Sequence, residues 1–173
     1  MKGYSGRVKV KEEAIKAYRI PLKDPPRDLI EAYLAVKRRA LRKVMSHVKY
    51  SGKGKAHLYF NAEERRKLRN ELLKDWKYSK HYIDSAINSV IGLVKGWIKL
   101  YNKGRAKTEP RVTRKSVYIK NTFFSYREGM LKISIEPRRR YLVINLRRYN
   151  WIPRVFDKIG GLILTEGGRN FRL

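Results

Sequence analysis

The sequence has 173 residues, of which 43 are Lys or Arg and 15 are Asp or Glu, so its formal net charge is +28. Folding does not require this imbalance, and repulsion between like charges opposes it. A polyanionic partner, most commonly nucleic acid, is therefore indicated; a ribosomal-type or generally adhesive basic protein is the other class that fits. The absence of cysteine excludes disulfides and thiolate metal sites.

Composition also indicates which cofactors, cellular location and number of domains to expect. The three histidines are widely spaced, so we expect no metal or other cofactor. No apolar run predicts a signal peptide or a membrane span, and we expect no membrane partner and a cytoplasmic, nucleoid-associated location. A hydrophobic content of 42% is enough for one domain or two small ones. The lack of both Gln and Cys, with many charged residues, suggests a thermophilic source.

The first predicted elements are extended pieces followed by a helix. Residues 7–11 alternate like a strand, and residues 17–22 form a second extended piece. The run 23–26 then predicts a helix start, with Asp24 accepting hydrogen bonds from the free amides. This helix has an apolar face, and its opposite face holds five cations with no carboxylate between them: Lys37, Arg38, Arg39, Arg42 and Lys43. Solvent exposure would explain that face, but unpaired like charges at helical spacing repel, so we favour phosphate contact.

A basic loop and a second helix come next. Tyr50–Lys55 predicts a flexible loop whose glycines lack the spacing of a nucleotide-binding loop. Asn61 is expected to cap a helix that ends near Trp76. Leu68, Leu72 and Leu73 would face inward, and Arg65, Arg66, Lys67 and Arg69 outward. For Trp76 we favour core packing over base stacking.

The third helix is predicted to be central to a small bundle. Ser79 would cap it, Gly104 would end it, and a broad apolar stripe follows its length: Tyr82, Ala86, Val90, Leu93, Trp97 and Tyr101. Its exposed N-terminal half would present Lys80, His81, Asp84, Ser85 and Asn88. The basic segment 104–114 is a linker back to a second structural region.

That region, Ser116–Leu146, is a run of strands. Leu131, Ile133 and Ile135 alternate with polar residues, and residues 141–146 repeat the pattern. Residues 127–129 predict a hairpin turn. Pro137 ends a strand and starts a turn that carries Arg138, Arg139 and Arg140. The sheet has an aromatic edge of Tyr118, Phe123, Phe124, Tyr126 and Tyr141. The first four of these would either stack on bases or form the core of the sheet. Residues 160–165 give a last strand.

Several of these segments carry a family resemblance. Ser116–Tyr126, Gly129–Ile135 and Tyr141–Leu146, with the helix Tyr82–Tyr101 and the segment Gly160–Glu166, resemble archaeal TnpB proteins. These are transposon-encoded, RNA-guided endonucleases, also called OrfB-type transposases. The resemblance implies an α+β fold in which a small antiparallel β-barrel-like (oligonucleotide-binding, or wedge) domain, residues 1–24 and 105–173, is interrupted by a helical-bundle insertion, residues 25–104.

The resemblance also implies RNA and DNA as partners. In the family this half of the protein holds the guide-RNA scaffold and reads a short DNA motif beside the target, while base pairing supplies sequence choice. By position, motif reading would involve Lys80 and Asp84, with Ser85 and Asn88 close by. An ordinary solvated first turn of the helix is the alternative.

We expect this chain not to be catalytic by itself. Family members continue into a RuvC-like nuclease domain that needs carboxylates converging on metal ions, and this chain stops before it; the nuclease would be missing or act separately. Beyond Pro110 the acids are Glu128, Glu136, Asp157 and Glu166, and none lies in a context suited to metal binding. The candidate nucleic-acid-binding residues are Arg38, Arg39, Arg42, Lys43, Arg65, Arg69, Lys80, Asp84, Ser85, Asn88, Arg111, Arg114, Lys115, Lys120, Asn121, Phe124, Tyr126, Arg138, Arg139 and Arg140.

Two other functions fit the same sequence. One is a stand-alone DNA-binding repressor or architectural protein, which would bind duplex DNA tightly without RNA. The other is a complete nuclease with an unfamiliar site, which would require metal-dependent cleavage that is abolished on replacing one carboxylate.

Overall fold

The computed structural model describes residues 16–156 and 158–166. These residues form three helices, which are α1 (Arg27–Met45), α2 (Ala62–Leu73) and α3 (His81–Tyr101). The strands are β1 (Val48–Ser51), β2 (Lys55–Leu58), β3 (Ser116–Ile119), β4 (Phe124–Arg127), β5 (Met130–Glu136), β6 (Arg140–Asn145) and β7 (Leu162–Thr165). The strand predicted at residues 7–11 lies outside the described residues, and residues 17–22 form no strand.

The helices pack through the apolar faces that the sequence predicts. Leu29, Tyr33 and Ala40 of α1 are buried, as are Tyr82 and Val90 of α3. Each fully buried large aliphatic side chain contributes about 1.5–3 kcal/mol to stability. The prediction for the central helix fails at one position, because Leu93 is exposed and Val94 is buried in its place.

The helix ends differ in part from the prediction. Asn61 caps α2 as expected, in a reciprocal capping box with Glu64. The predicted caps at Asp24 and Ser79 are wrong: Pro26 and Lys80 occupy the N-cap positions without side-chain hydrogen bonds. The α2 helix also ends at Leu73, three residues before Trp76. The Trp76 indole is half-buried and donates to the Ser79 carbonyl (3.2 Å), as packing predicts.

The segment expected to be a flexible loop is a β-hairpin. Strands β1 and β2 pair antiparallel from Val48 opposite Leu58 to Ser51 opposite Lys55. The connection is the three residues 52–54, and Gly54 adopts a positive φ of 67° that favours glycine. The glycines therefore mark a tight turn.

The remaining strands do not form one sheet. β3 pairs with β7, whereas β4, β5 and β6 form a separate three-stranded sheet. All pairings are antiparallel. The described strands thus make three small sheets, none of which closes into a barrel, so the mixed α+β class is confirmed and the barrel expected from the resemblance is not observed in this part of the chain.

The three-stranded sheet has the predicted turns and faces. Glu128 and Gly129 both have positive φ (51° and 81°), which is typical of the tight hairpin turn between β4 and β5. Leu131, Ile133 and Ile135 are buried. Arg138 has a φ of 62° in the turn that leads to β6.

Hydrogen bonds join this sheet to the start of α3. The Ser79 amide donates to the Ile135 carbonyl (3.0 Å) and the Tyr82 hydroxyl donates to the Ser134 carbonyl (2.7 Å). The buried apolar residues of helices and sheets belong to one cluster. The outer side of β5, which carries Lys132 and Ser134, is thereby fixed beside the N-terminus of α3.

Candidate nucleic-acid interface

The first candidate surface is the basic side of α1. Arg38, Arg39, Arg42 and Lys43 are exposed there, as the sequence predicts. The basic linker, residues 105–115, runs against this helix, because the Arg38 Nε donates to the Val112 carbonyl (3.3 Å). We call Lys37, Arg38, Arg39, Arg42, Lys43 and Arg114 together the α1 cationic face.

The positive charges of this face lie close together and repel one another. Burial lowers the pKa of Lys37, and the nearby positive charge of Arg114 lowers it further. Arg39 approaches Glu71 at 3.5 Å, but both side chains are about half exposed, and such pairs contribute about 0–1 kcal/mol. The face is therefore a positive surface with little internal compensation.

The neighbouring predicted cations of the linker are only partly free. Arg111, Arg114 and Lys115 are exposed. The Lys115 ammonium lies 3.0 Å from the Glu166 carboxylate, so its charge is already paired.

The predicted residues on α2 and α3 bind each other. The Arg69 guanidinium donates twice to the Asp84 carboxylate (2.7 and 3.3 Å), and Arg65 donates to the Asn88 side-chain oxygen (2.6 Å). The hydrogen bond to Asp84 raises the pKa of Arg69. The expectation that Arg65 and Arg69 point outward is therefore wrong, since both side chains hold α2 against α3.

Ser85 is also used inside the fold. Its hydroxyl lies 3.0 Å from the Tyr33 hydroxyl and donates to the Tyr118 carbonyl (2.9 Å). Asp84 and Ser85 are half-buried, and only Asn88 and Lys80 of the predicted motif-reading set are exposed. The expected exposed first half of α3 is thus mostly engaged with its neighbours.

An open groove of about 480 Å³ lies beside the N-terminus of α3. The rings that line it are exposed or half-buried: Phe123 is 43% exposed and Tyr141 is 43% exposed. Lys132 places its ammonium 4.1 Å from the centre of the Tyr141 ring. We call this feature the α3 groove; it is lined by Ser79, His81, Thr122, Phe123, Phe124, Ser125, Lys132, Ser134 and Tyr141.

His81 forms one wall of the α3 groove. Its ring is parallel to that of Phe123, with the centroids 4.3 Å apart and an interplanar angle of 1°. Burial lowers the pKa of His81 to about 4, against a smaller opposing effect of Asp84, so the imidazole is neutral at pH 7. Its Nε2 is buried and has no hydrogen-bond partner among the described residues.

The predicted aromatic residues separate into two groups. Phe124 and Tyr126 are partly buried against the core, and Phe124 also lines the α3 groove. Tyr118 and Phe123 are exposed, and Lys120 and Asn121 are exposed just before Phe123. Base stacking is therefore available to Tyr118 and Phe123, which were predicted to stack, and also to Tyr141, which was not.

The turn between β5 and β6 exposes two of the three arginines that were predicted to lie on it. Arg138 and Arg139 are exposed. Arg140 instead lies in β6 and pairs with Asp28 (2.7 Å) and Glu136 (3.7 Å). Burial opposes ionisation of Asp28, but hydrogen bonds from Arg140 and Tyr78 outweigh it and lower the Asp28 pKa.

The same cluster perturbs Tyr78. Burial and the hydrogen bond to Asp28 raise the pKa of Tyr78 to about 12. The cluster joins β6 to α1 and to the segment before α3. Arg140 is therefore a structural residue, contrary to its expected place on a free basic turn.

Two further features bear on function. Within residues 16–156 and 158–166, no group of three or more His, Asp or Glu side chains could hold a metal ion. No helix in the described part of the chain is long and apolar enough to cross a membrane. The expectation that the chain is not catalytic remains an expectation.

The sequence contained a signal for the α3 groove. Lys132 and Ser134 alternate with the buried residues of β5, and Ser134 pairs with Tyr141 across the sheet. The alternating sequence pattern therefore predicts a polar side for the β5–β6 hairpin. Its position beside His81 depends on hydrogen bonds between segments more than 50 residues apart, which periodicity does not reveal.

Comparisons with known proteins give one family match and two similar proteins. The family model described as "Uncharacterized protein MJ0013 family" matches residues 29–134. The chain is 35% identical to TnpB-like protein MJ1635 of Methanocaldococcus jannaschii over 126 residues, which cover 71% of this chain and 30% of that protein. It is 27% identical over 154 residues to the uncharacterized protein MJ0013 of the same organism, covering 76% of this chain and 95% of that protein. No solved structure matches the chain.

Proposed function

The chain belongs to the MJ0013 family and is related to a TnpB-like protein, and from this we propose that it is the nucleic-acid-binding part of a transposon-encoded, RNA-guided DNA endonuclease. It spans about a third of the length of its TnpB-like relative. In this proposal the chain itself is not catalytic. It holds a structured guide RNA and contacts a short DNA motif beside the target.

The α1 cationic face carries the RNA-binding part of the proposal. Its helix and the linker bring Arg38 and Arg114 onto one side of the molecule, where the ammonium of Lys37 is partly desolvated. Gathering like charges in this way costs free energy in the isolated chain. Phosphates remove that cost, and the release of counterions from RNA favours binding.

The α3 groove supports the DNA-reading part. Phe123 and Tyr141 are exposed enough to stack on an unpaired base or the end of a base pair, at about 1–3 kcal/mol per stacked base. Lys132 and Lys80 are cations on or beside the groove. We place the motif contact here and not on Asp84, whose carboxylate already accepts two hydrogen bonds from Arg69.

The RNA-binding proposal is tested by removing charge from the α1 cationic face. The variant R38Q/R39Q/R42Q should retain less co-purifying RNA, and its log affinity for RNA should depend less steeply on log salt, by about 0.7–0.9 for each phosphate that the variant no longer binds. The matched control is K23Q/R148Q/R154Q, which removes three exposed charges beside the three-stranded sheet and should behave like the unmodified chain.

Two results would count against the proposal. Equal reductions in RNA binding by both triple variants would make the effect one of net charge alone. Tight binding of duplex DNA by RNA-free protein, with no structured RNA recovered, would instead support a repressor or architectural protein.

A further inference from the structure

The β1–β2 hairpin presents a polar face that the proposed function does not use. The pairing places Lys49 opposite His57 and Ser51 opposite Lys55. All four side chains are exposed. Ala56, on the other face, is fully buried. The hairpin is therefore a two-stranded ribbon with one face on the protein and one face in solvent.

The solvent face of the hairpin carries cations and no acidic side chain, although burial and the nearby Glu109 carboxylate raise the pKa of Tyr50, on the other face. No acidic residue occurs from Ser46 to Ala62 in the sequence. Lys53 lies in the exposed turn of the ribbon. None of the ion pairs formed by the described residues involves Lys49 or Lys53. Both ammonium groups are thus available to an anionic partner.

The ribbon is held firmly at the C-terminus of α3. The Asn102 side chain accepts from the Ala56 amide (2.7 Å) and donates to the Ala56 carbonyl (3.1 Å). The Lys55 ammonium donates to the Asn102 carbonyl (2.6 Å). The Tyr50 ring packs edge-on against Trp97 and Tyr101, with centroids 6.4 and 5.5 Å away. These hydrogen bonds and ring contacts therefore fix the position of the outer face relative to α3.

The dimensions of the ribbon match one polyanion. Four residues per strand at about 3.3 Å per residue give a length of about 13 Å, with strands about 4.8 Å apart. The major groove of B-form DNA is about 12 Å wide and accepts a two-stranded ribbon, whereas the A-form RNA major groove is too narrow. The Lys49 and Lys53 ammonium groups can donate hydrogen bonds to such a groove, whereas Ser51 already donates to the Lys55 carbonyl (3.4 Å) and Lys55 to the Asn102 carbonyl.

We propose that the β1–β2 hairpin binds duplex DNA, with its outer face in the major groove and with Lys49 and Lys53 on phosphates. The hairpin lies at the opposite end of α3 from the α3 groove, and a 21-residue helix is about 30 Å long. The hairpin is therefore a separate contact, and this inference does not depend on motif reading or on guide RNA.

The test measures binding of the full chain, stripped of nucleic acid, to a fluorescent DNA duplex of arbitrary sequence and about 21 base pairs, or two helical turns. The variant K49Q/K53Q should bind more weakly. Its slope of log affinity against log salt should be smaller in magnitude by about 1.8, since each phosphate contact contributes about 0.9. K49R/K53R, which keeps both charges, should retain the original slope.

The control variant K23Q/K74Q removes two exposed lysines outside the hairpin and should leave the slope unchanged. Equal slopes for K49Q/K53Q and the unmodified chain would overturn the inference, as would equal reductions in K49Q/K53Q and K23Q/K74Q. A hairpin-dependent preference for single-stranded DNA or duplex RNA of the same length would also overturn it. None of these outcomes bears on RNA binding by the α1 cationic face, so failure here is distinguishable from failure of the proposed function.

Discussion

His81 stands between the core and the α3 groove. One side of its ring faces Phe123 in a parallel stack, and the Tyr82 ring lies 4.1 Å away at a tilt of 43°. Sequence placed this histidine on the exposed half of α3, because the residues at positions 80–88 are mostly polar. Its burial comes from Phe123, a residue 42 positions later, and no local pattern encodes that contact.

The depressed pKa of His81 predicts a loss of stability in acid. The folded-state value of about 4 lies below the ordinary 6.5, so the unfolded chain binds the proton more readily between these pH values. This contribution is fully present above about pH 6.5 and is lost as the pH falls toward 4. Denaturant unfolding should show about 1–2 kcal/mol less stability at pH 5 than at pH 7.

The control for this prediction is H81Q, which cannot titrate in that range. Its stability should fall less between pH 7 and pH 5 than that of the unmodified chain. Asp28, whose pKa is also lowered, titrates below this window and affects both proteins alike. An identical pH dependence in the two proteins would show that His81 is not desolvated.

Among the helices and strands, the sequence pattern predicted where most of them lie in the chain, but not which of them pair or pack together. The apolar stripes of α1 and α3 specify which sides are buried, and Asn61 with Glu64 specifies the start of α2. The β1–β2 hairpin was missed because Gly52 and Gly54 resemble a loop, although Tyr50 and Leu58 belong to alternating patterns on either side. The pairing of β3 with β7, about 45 residues later, depends on tertiary packing alone.

The Asp28–Arg140 pair connects elements that are 112 residues apart in the chain. We expect D28N and R140Q each to destabilise the fold, and the double variant to be destabilised by less than the sum. The coupling free energy should be about 0.5–1 kcal/mol, because both side chains are about 40% exposed and solvent screens the pair.

The matched control is the Glu63–Lys67 pair, which lies within one helix and is more exposed. Its coupling should be smaller than that of the Asp28–Arg140 pair, because solvent screens the more exposed charges more strongly. A double-mutant cycle on urea unfolding measures both values. Strict additivity of D28N and R140Q would show that the pair does not join the sheet to α1.

At the scale of the whole molecule, the dominant property is a net charge of +28. Composition was enough to predict a polyanionic partner, but the distribution of charge required the structure. Arg65, Arg69 and Arg140 are used to hold the fold together, whereas Arg38, Arg42 and Lys43 remain exposed. The sequence alone does not distinguish these two groups of cations, because the hydrogen-bond partners of Arg65, Arg69 and Arg140 lie on other elements.

Screening of the positive charges by salt should therefore stabilise the fold of the isolated chain. We expect the Tm of nucleic-acid-free protein to rise with NaCl concentration, because salt weakens the repulsion among cations more than it weakens the few partly buried pairs. The variant R38Q/R39Q/R42Q should gain less from the same addition of salt. Calorimetry measures both responses, and a Tm that falls with salt would show that ion pairs outweigh repulsion.

The proposed function requires this chain to hold a particular structured RNA on its α1 cationic face. The most direct measurement is to crosslink the chain to nucleic acid in its source cells, recover it and sequence what is bound. We expect strong enrichment of one structured RNA, with crosslinks at Lys37–Lys43 and the 105–115 linker. Recovery of DNA alone, or of RNAs in proportion to their abundance in the cell, would contradict it.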